Sequence, residues 1–268
     1  MHVGLITYQR GHLKTLQMMR RLTSKGFRVT LFAFPFKLRV PDSSAPKKRV
    51  FDDRPAQLLD YDVLAYCKRH GIGYWEVGGW ADDFASGLGG PDPDDKPDVY
   101  LTCIAKIIPG AFISGRTILN CHPGLLPHNR GVDAFKWCIL NGWPFGVTLH
   151  VINEKIDSGI ILARLRVPVL ETDTLRDVCL RAYDVEGDIL ANFDCVLENA
   201  KYQWIVSDEF PLSKKLIPLN ADENIEQLFL NRRTEFVRLS GDFFAQAHPG
   251  DQLGFRAATV RPPASVLI

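Results

Sequence analysis

The sequence predicts an α/β protein, a mostly parallel sheet with helices on both faces followed by a small C-terminal appendage. Three stretches carry that expectation. Residues 1–34 read as strand, loop, helix and strand. Residues 98–103 (DVYLTC) read as one apolar strand, of the kind a parallel sheet buries on both faces. Residues 117–159 place two further apolar runs around a helical pattern, with polar residues where the runs give way to loops.

Taken in order, residues 2–7 form a short apolar run, and Tyr8, Gln9, Arg10 and Gly11 a loop. Leu13, Leu16, Met19 and Leu22 recur at helical spacing, and Gly26 ends that helix. Residues 27–34 are rich in strand formers, so the chain opens as a Rossmann-like sheet does. The first loop holds only Gly11, so the glycines of a dinucleotide fingerprint are missing and a nicotinamide cofactor is not expected. A helix N-terminus after the first strand still offers free N–H groups to a phosphate. Gln9 and Arg10 are therefore candidate substrate contacts, with a solvated loop arginine as the alternative.

Residues 35–55 are rich in proline and charge and read as a surface loop, with Lys47, Lys48 and Arg49 as a solvated face. A short helix is expected over 58–66, a strand over 72–77, and a linker over 81–97. Residues 111–114 look like a helical turn. Residues 160–169 alternate and end near Pro168. Thr172 or Asp173 is expected to cap a long helix whose core stripe is Leu175, Val178, Ala182, Val185, Ile189, Phe193 and Val196. Beyond about residue 207 the chain is more charged, with a helix expected from Asp222. The expected organisation is one catalytic domain over 1–206 and a C-terminal region over 207–268 that either mediates a homodimer or completes a pocket.

At 268 residues, 46% hydrophobic and 24% charged, the composition is that of an ordinary soluble globular protein. A net charge of +1 argues against obligatory nucleic-acid binding. No apolar run approaches the roughly 20 residues a spanning helix needs, so no membrane partner is expected. The first residues, MHVGLITYQRG, read as a strand and not as a signal peptide. Cys67, Cys103, Cys121, Cys138, Cys179 and Cys195 are widely spaced with no C-x-x-C pair, which suggests reduced thiols and a cytoplasmic location.

The chemistry concentrates in 117–159. Asn120 and His122 lie two residues apart, so on extended backbone they point to one side of the sheet. An Asn amide donates well to an oxyanion forming on an attacked carbonyl. A His with a near-neutral pKa can hold or release the proton that moves when an amine or water attacks. Asp157, at a second strand exit, is placed to pair with that His and orient its ring. The carboxyl ends of parallel strands are where an α/β sheet presents such groups. The trio fits acyl transfer to an amine, or hydrolysis of an acyl group, without a covalent enzyme intermediate. No G-x-S-x-G elbow accompanies it. Cys121 should point the other way, into the core. Cys121, His122, His128 and His150 lack zinc-ligand spacing, so no metal is expected.

The segment NCHPGLLPHNRG, followed by GVTLHVINEKIDSG, resembles the signature of the folate-dependent formyltransferases. That family includes glycinamide ribonucleotide transformylase, methionyl-tRNA formyltransferase and the sugar N-formyltransferases. The resemblance covers roughly 98–168. It implies that Asn120, His122 and Asp157 are catalytic and that 10-formyltetrahydrofolate is the donor. It also places the pteridine between two segments and mainly on their backbone groups, which makes Leu101, Ile104, Lys106, Ile107, Ile108, Ile152, Asn153, Glu154 and Ile156 the cofactor-binding candidates.

The acceptor is written elsewhere. Arg130-Gly131 and the tryptophan-bearing helix after it look more like the sugar or tRNA enzymes than the purine enzyme, whose glycine-rich first loop is also missing. Too few residues follow Ser207 for the C-terminal β-barrel expected of a tRNA enzyme. The expected partner is thus a small-molecule amine, foremost a nucleotide-linked amino sugar, with Arg130 and Lys136 joining Gln9 and Arg10 as contact candidates. An amino acid, another small amine, a purine precursor or a tRNA as acceptor, a formyltetrahydrofolate hydrolase, and a non-catalytic folate binder remain the alternatives. The hydrolases usually carry an N-terminal regulatory domain, which this sequence does not show. One departure stands out: Pro144-Phe145 replaces the usual polar pair before Gly146.

Overall fold

A computed structural model describes residues 1–36, 54–79, 95–200, 203–204 and 215–246. The expected 35–55 and 81–97 loops, including Lys47, Lys48 and Arg49, fall mostly outside those residues. Strand β1 (His2–Tyr8), helix α1 (Leu13–Ser24) and strand β2 (Arg28–Phe34) realise the opening unit, with β1 and β2 parallel. Helix α2 (Val63–His70) leads to β3 (Gly73–Glu76), and β4 (Val99–Thr102) pairs with β1 on its other side. A one-turn helix α3 (Gly110–Ile113) precedes β5 (Ile118–His122). After α4 (Ala134–Asn141) come β6 (Gly146–Val151) and β7 (Ile160–Arg166), then α5 (Leu175–Ala191), α6 (Phe193–Asn199) and β8 (Gln203–Trp204). Helices α7 (Leu219–Glu223) and α8 (Ile225–Gln246) complete the described chain.

The eight strands lie in the order β3-β2-β1-β4-β5-β6-β7-β8. Strands β1 to β5 are mutually parallel, and β6, β7 and β8 continue the sheet antiparallel. Strand alternation divides the apolar residues between two cores. On one face Val3, Leu5, Leu31, Leu101, Leu119 and Cys121 join the buried residues of α1, α2 and α5. On the other, Ile6, Phe32, Phe34, Tyr100 and Ile118 pack around Phe112 of α3. Asn120 and His122 share the parity of Ile118, so they belong to this second face, away from α5.

Two helices start later than the sequence suggests. The helix expected over 58–66 begins at Val63, because the Asp62 carboxylate accepts from the Ala65 N–H at 2.9 Å and caps it there. Leu58 instead bridges His12. The long helix is capped by Thr174, whose side chain and that of Asp177 form a reciprocal capping box. Asn192 breaks the expected stripe, which leaves Phe193 and Val196 in α6.

The C-terminal helices join the main core. Phe229 and Phe236 of α8 are buried, their ring centroids 6.1 and 5.1 Å from that of Phe145. That contact gives the apolar Phe145 a place in the core. A second long-range tie is ionic: Lys14 Nζ of α1 lies 2.6 Å from Glu186 Oε1 of α5, with Arg54 3.4 Å from the other oxygen. Desolvation offsets much of the attraction in so buried a pair, so it fixes how α1 meets α5 more than it adds net stability.

Candidate active site

Strand β5 sets the first two groups. The Thr102 hydroxyl at the end of β4 donates to Asn120 Oδ1 at 2.7 Å, which turns the amide nitrogen toward His150 Nε2 at 3.2 Å. His150 is opposite Asn120 on β6 and fully buried. Burial and the nearby His122 hold its pKa down to about 4, against the opposing pull of Asp157 and the Val151 carbonyl. The ring is therefore neutral. Its Nδ1, 3.3 Å from the Val151 carbonyl, takes the hydrogen, which leaves Nε2 to accept from Asn120. Asn120 is thus locked on both sides, and among the described residues one of its two amide N–H groups is unspent.

His122 is buried, with Nε2 2.7 Å from the Asn129 carbonyl. A carbonyl can only accept, so Nε2 carries the hydrogen and Nδ1 is the nitrogen free to gain or lose a proton. That Nδ1 lies 3.4 Å from Asp157 Oδ2. The turn after His122 is tight for a reason: a Cβ on Gly124 would sit 2.6 Å from the Asn129 oxygen and 2.8 Å from His122 Nε2. Thr148, opposite His122 on β6, fixes the same turn by donating to the Gly124 carbonyl and accepting from the Leu126 N–H. Thr148 and His150, two residues apart on β6, thus divide the task, one holding the His122 turn and the other the Asn120 amide.

Asp157 reaches His122 by a different route from the expected one. Because β6 is antiparallel, with His122 opposite Thr148 and Leu119 opposite Val151, the chain leaves β6 at the end away from His122. The 152–159 connection must fold back along the face. Arg130 holds it there, donating through Nε and Nη2 to the Ile156 carbonyl at 3.1 and 2.6 Å. The Gly131 N–H donates to Asp157 Oδ2 at 2.9 Å. Asp157 itself is left-handed at φ 45, a region Asp tolerates better than most side chains. Burial pushes its carboxyl pKa up, yet His122, His150, the Gly131 N–H and Arg130 together hold it below the usual value.

At the base of this fold-back Gly159 is pressed against β6, where an added Cβ would come 1.6 Å from the Val151 oxygen. Gly159→Ala is expected to cost about 3 kcal/mol, since backbone cannot swing aside as a side chain can. Urea unfolding monitored by circular dichroism measures it, and a change below about 0.5 kcal/mol would mean that the loop has room to spare.

The remaining candidates divide. Ile104 and Ile108 are buried beside the half-buried Ile152, Ile107 is 70% exposed, and Glu154 lies over Gly110, so the two segments meant to hold a pteridine do adjoin. Asn153 is half-buried and braces the loop by accepting from the Lys155 N–H, whereas Ile156 is exposed. Lys106 donates to the Pro35 carbonyl with its ammonium 5.2 Å from the Tyr8 ring centre. Leu101 is different: its side chain enters the α1–α5 core on the opposite face, so only its backbone could serve this side. Gln9 is tied to Phe34 through its backbone, and Arg10 is exposed. Arg130 braces the Asp157 loop from a buried position, and Lys136 is buried in an ion pair with Asp222 at 2.5 Å. Neither is placed as a contact to a small acceptor.

A half-buried amide donor, an imidazole and a carboxylate on one face suit addition of a nucleophile to a carbonyl carbon. Residues 95–193 match the formyl transferase family. That span contains Asn120, His122, His150 and Asp157. The dTDP-4-amino-4,6-dideoxyglucose formyltransferase of Mycobacterium tuberculosis is 31% identical over 157 residues, 58% of this chain and 65% of the relative. The chain thus spans just under two thirds of that formyltransferase. A GDP-perosamine N-formyltransferase of Brucella melitensis is 38% identical over 82 residues, 29% of this chain and 32% of its own. A sugar N-formyltransferase structure from Shewanella superposes with a TM-score of 0.52 at 22% identity, covering 85% of this chain and 87% of that one, a likeness of fold. Among the described residues no cluster of three or more His, Cys, Asp or Glu could hold a metal, and no helix is long and apolar enough to cross a membrane.

Proposed function

We propose that this chain transfers a formyl group from 10-formyltetrahydrofolate to the primary amine of a nucleotide-linked amino sugar. The observation that carries the reading is the assembly of Asn120, His122 and Asp157 on one face, each held by its own hydrogen bonds. Segments 104–108 and 152–156 adjoin one another on the sheet face that bears Asn120, which supports a folate site there. The co-substrate supplies an activated formyl carbon. Asn120 and the Nδ1–H of protonated His122 donate to the oxygen that becomes negative when the amine adds. Asp157 keeps His122 oriented and accepts the proton the amine sheds, directly or through water. The folate nitrogen leaves with a proton, so charge balances over the cycle. The amino-sugar acceptor rests on the relatives named above, which are sugar enzymes.

The test is to incubate the protein with 10-formyltetrahydrofolate and a panel of dTDP- and GDP-linked amino sugars while following tetrahydrofolate release. Acceptor-dependent release is expected. Release at the same rate without any amine would replace the transferase by a hydrolase. Folate binding without turnover on any acceptor would overturn the enzymatic reading.

A further inference from the structure

Residues 129–137 hold the catalytic pair from outside. Upstream, the Asn129 carbonyl receives His122, Arg130 grips the Ile156 carbonyl, and the Gly131 N–H fixes Asp157 Oδ2. Downstream, three bonds stitch the start of α4 to the C-terminal segment. Asp133 Oδ2 accepts from the Ile217 N–H at 3.0 Å, Lys136 pairs with Asp222, and the Trp137 indole donates to the Lys215 carbonyl at 2.8 Å. Asp133 lies between the two sets. It is buried and left-handed at φ 55, and its carbonyl starts α4 by accepting from the Trp137 N–H.

We propose that Asp133 is a positioning residue through which the seated 215–222 segment sets the distance between His122 and Asp157. If Ile217 lets go, the left-handed turn at Asp133 loses a restraint, and Gly131 two residues earlier can move with it. The Gly131 N–H and the Arg130 fork would then shift together, and Asp157 with them. The C-terminal segment would so complete the active site without touching substrate. The proposal deepens the transferase reading, but part of its test does not depend on turnover.

Three variants separate positioning from simple folding. Asp133→Gly keeps the left-handed backbone at no steric cost and removes the acceptor for Ile217. Asp133→Asn keeps both and should retain activity within about twofold, since Asn also accepts and also tolerates this conformation. For Asp133→Gly, kcat is expected to fall about tenfold or more with KM for 10-formyltetrahydrofolate nearly unchanged, as a misplacement of an ångström or less can do. The second readout is the carboxyl titration of Asp157, followed by carbon NMR of the free protein. The groups facing that carboxylate are His122, His150 and Arg130, with the Gly131 N–H. Loosening the Gly131 contact should move its midpoint up toward the ordinary carboxylate value. An unmoved midpoint in Asp133→Gly would overturn the proposal, whether or not any acceptor has been found. Should that variant fail to fold, Trp137→Phe removes the bond to Lys215 and should shift the same midpoint upward by less. No shift there would also overturn it.

Discussion

Replacing His122 by asparagine is expected to lower kcat about a thousandfold while leaving 10-formyltetrahydrofolate affinity within a few-fold. The two effects separate because the two tasks sit on different atoms. Nε2 of His122 is spent on the Asn129 carbonyl, and Nδ1 points to Asp157, so the ring is placed to move one proton at one position. Asparagine keeps a polar amide near the Nδ1 position but has no proton to exchange near neutral pH. Loss of general acid–base catalysis costs about 10²–10⁴, and loss of an oxyanion donor about 10²–10³. The effects overlap at one ring, so the expectation falls near the middle of those ranges. The folate is proposed to rest on segments 104–108 and 152–156, to which His122 does not belong. Titration of the variant with the folate, beside single-turnover kinetics, tells the cases apart. Parallel loss of binding and turnover would show that His122 shapes the folate site, and the division of labour proposed above would fail.

Much of this site is legible in the amino-acid sequence because its chemistry is local along the chain. Asn120 and His122 share a face through the two-residue period of a strand, and Gly124 and Gly159 mark places where another backbone comes within a side chain's reach. What the sequence hides is long-range. His150 reads as a stray histidine along the chain, and only β6 brings it opposite Asn120; no local pattern says that β6 runs antiparallel. That direction also changes how Asp157 arrives, by a loop folded back along the face. Arg130 and Lys136 have structural partners that lie far along the chain. Charge near a motif suggests a ligand, but one side chain holds a backbone carbonyl and the other meets Asp222 from a segment 86 residues away. Sequence spacing contains no trace of either partner. The Leu101 side chain is turned to the α5 side by strand alternation. The same alternation that unites Asn120 with His122 sends that side chain the other way.

Acidification from pH 7.5 to 5 is expected to remove about 2 kcal/mol of stability for each of His150 and His12. Both are buried, and burial first of all lowers each pKa to about 4, helped at His12 by Lys14 and Arg54. In the unfolded chain these rings take up protons near pH 6.5, whereas the folded protein refuses them until about pH 4. The unfolded state therefore binds more protons throughout that interval, and stability falls as pH falls through it. Over the full interval each ring withdraws on the order of 3 kcal/mol, and the pair about 6, against a total of about 5–15 for a domain. His2, also lowered by burial and by Arg28, adds to the same slope. Asp157 acts in the same sense but lower: its depressed carboxyl contributes stability that is present above the unfolded value near 4 and is lost only as pH drops further. The interval from 6.5 to 5 thus belongs to the histidines. Urea unfolding at pH 7.5 and 5 measures the slope, and His150→Gln, which can still accept from the Asn120 amide, should reduce it by about 2 kcal/mol over the interval. An unchanged slope in that variant would mean that His150 is protonated in the fold. Its Nε2 could then no longer accept from Asn120, and the amide would have to be held toward the reaction centre by Thr102 alone.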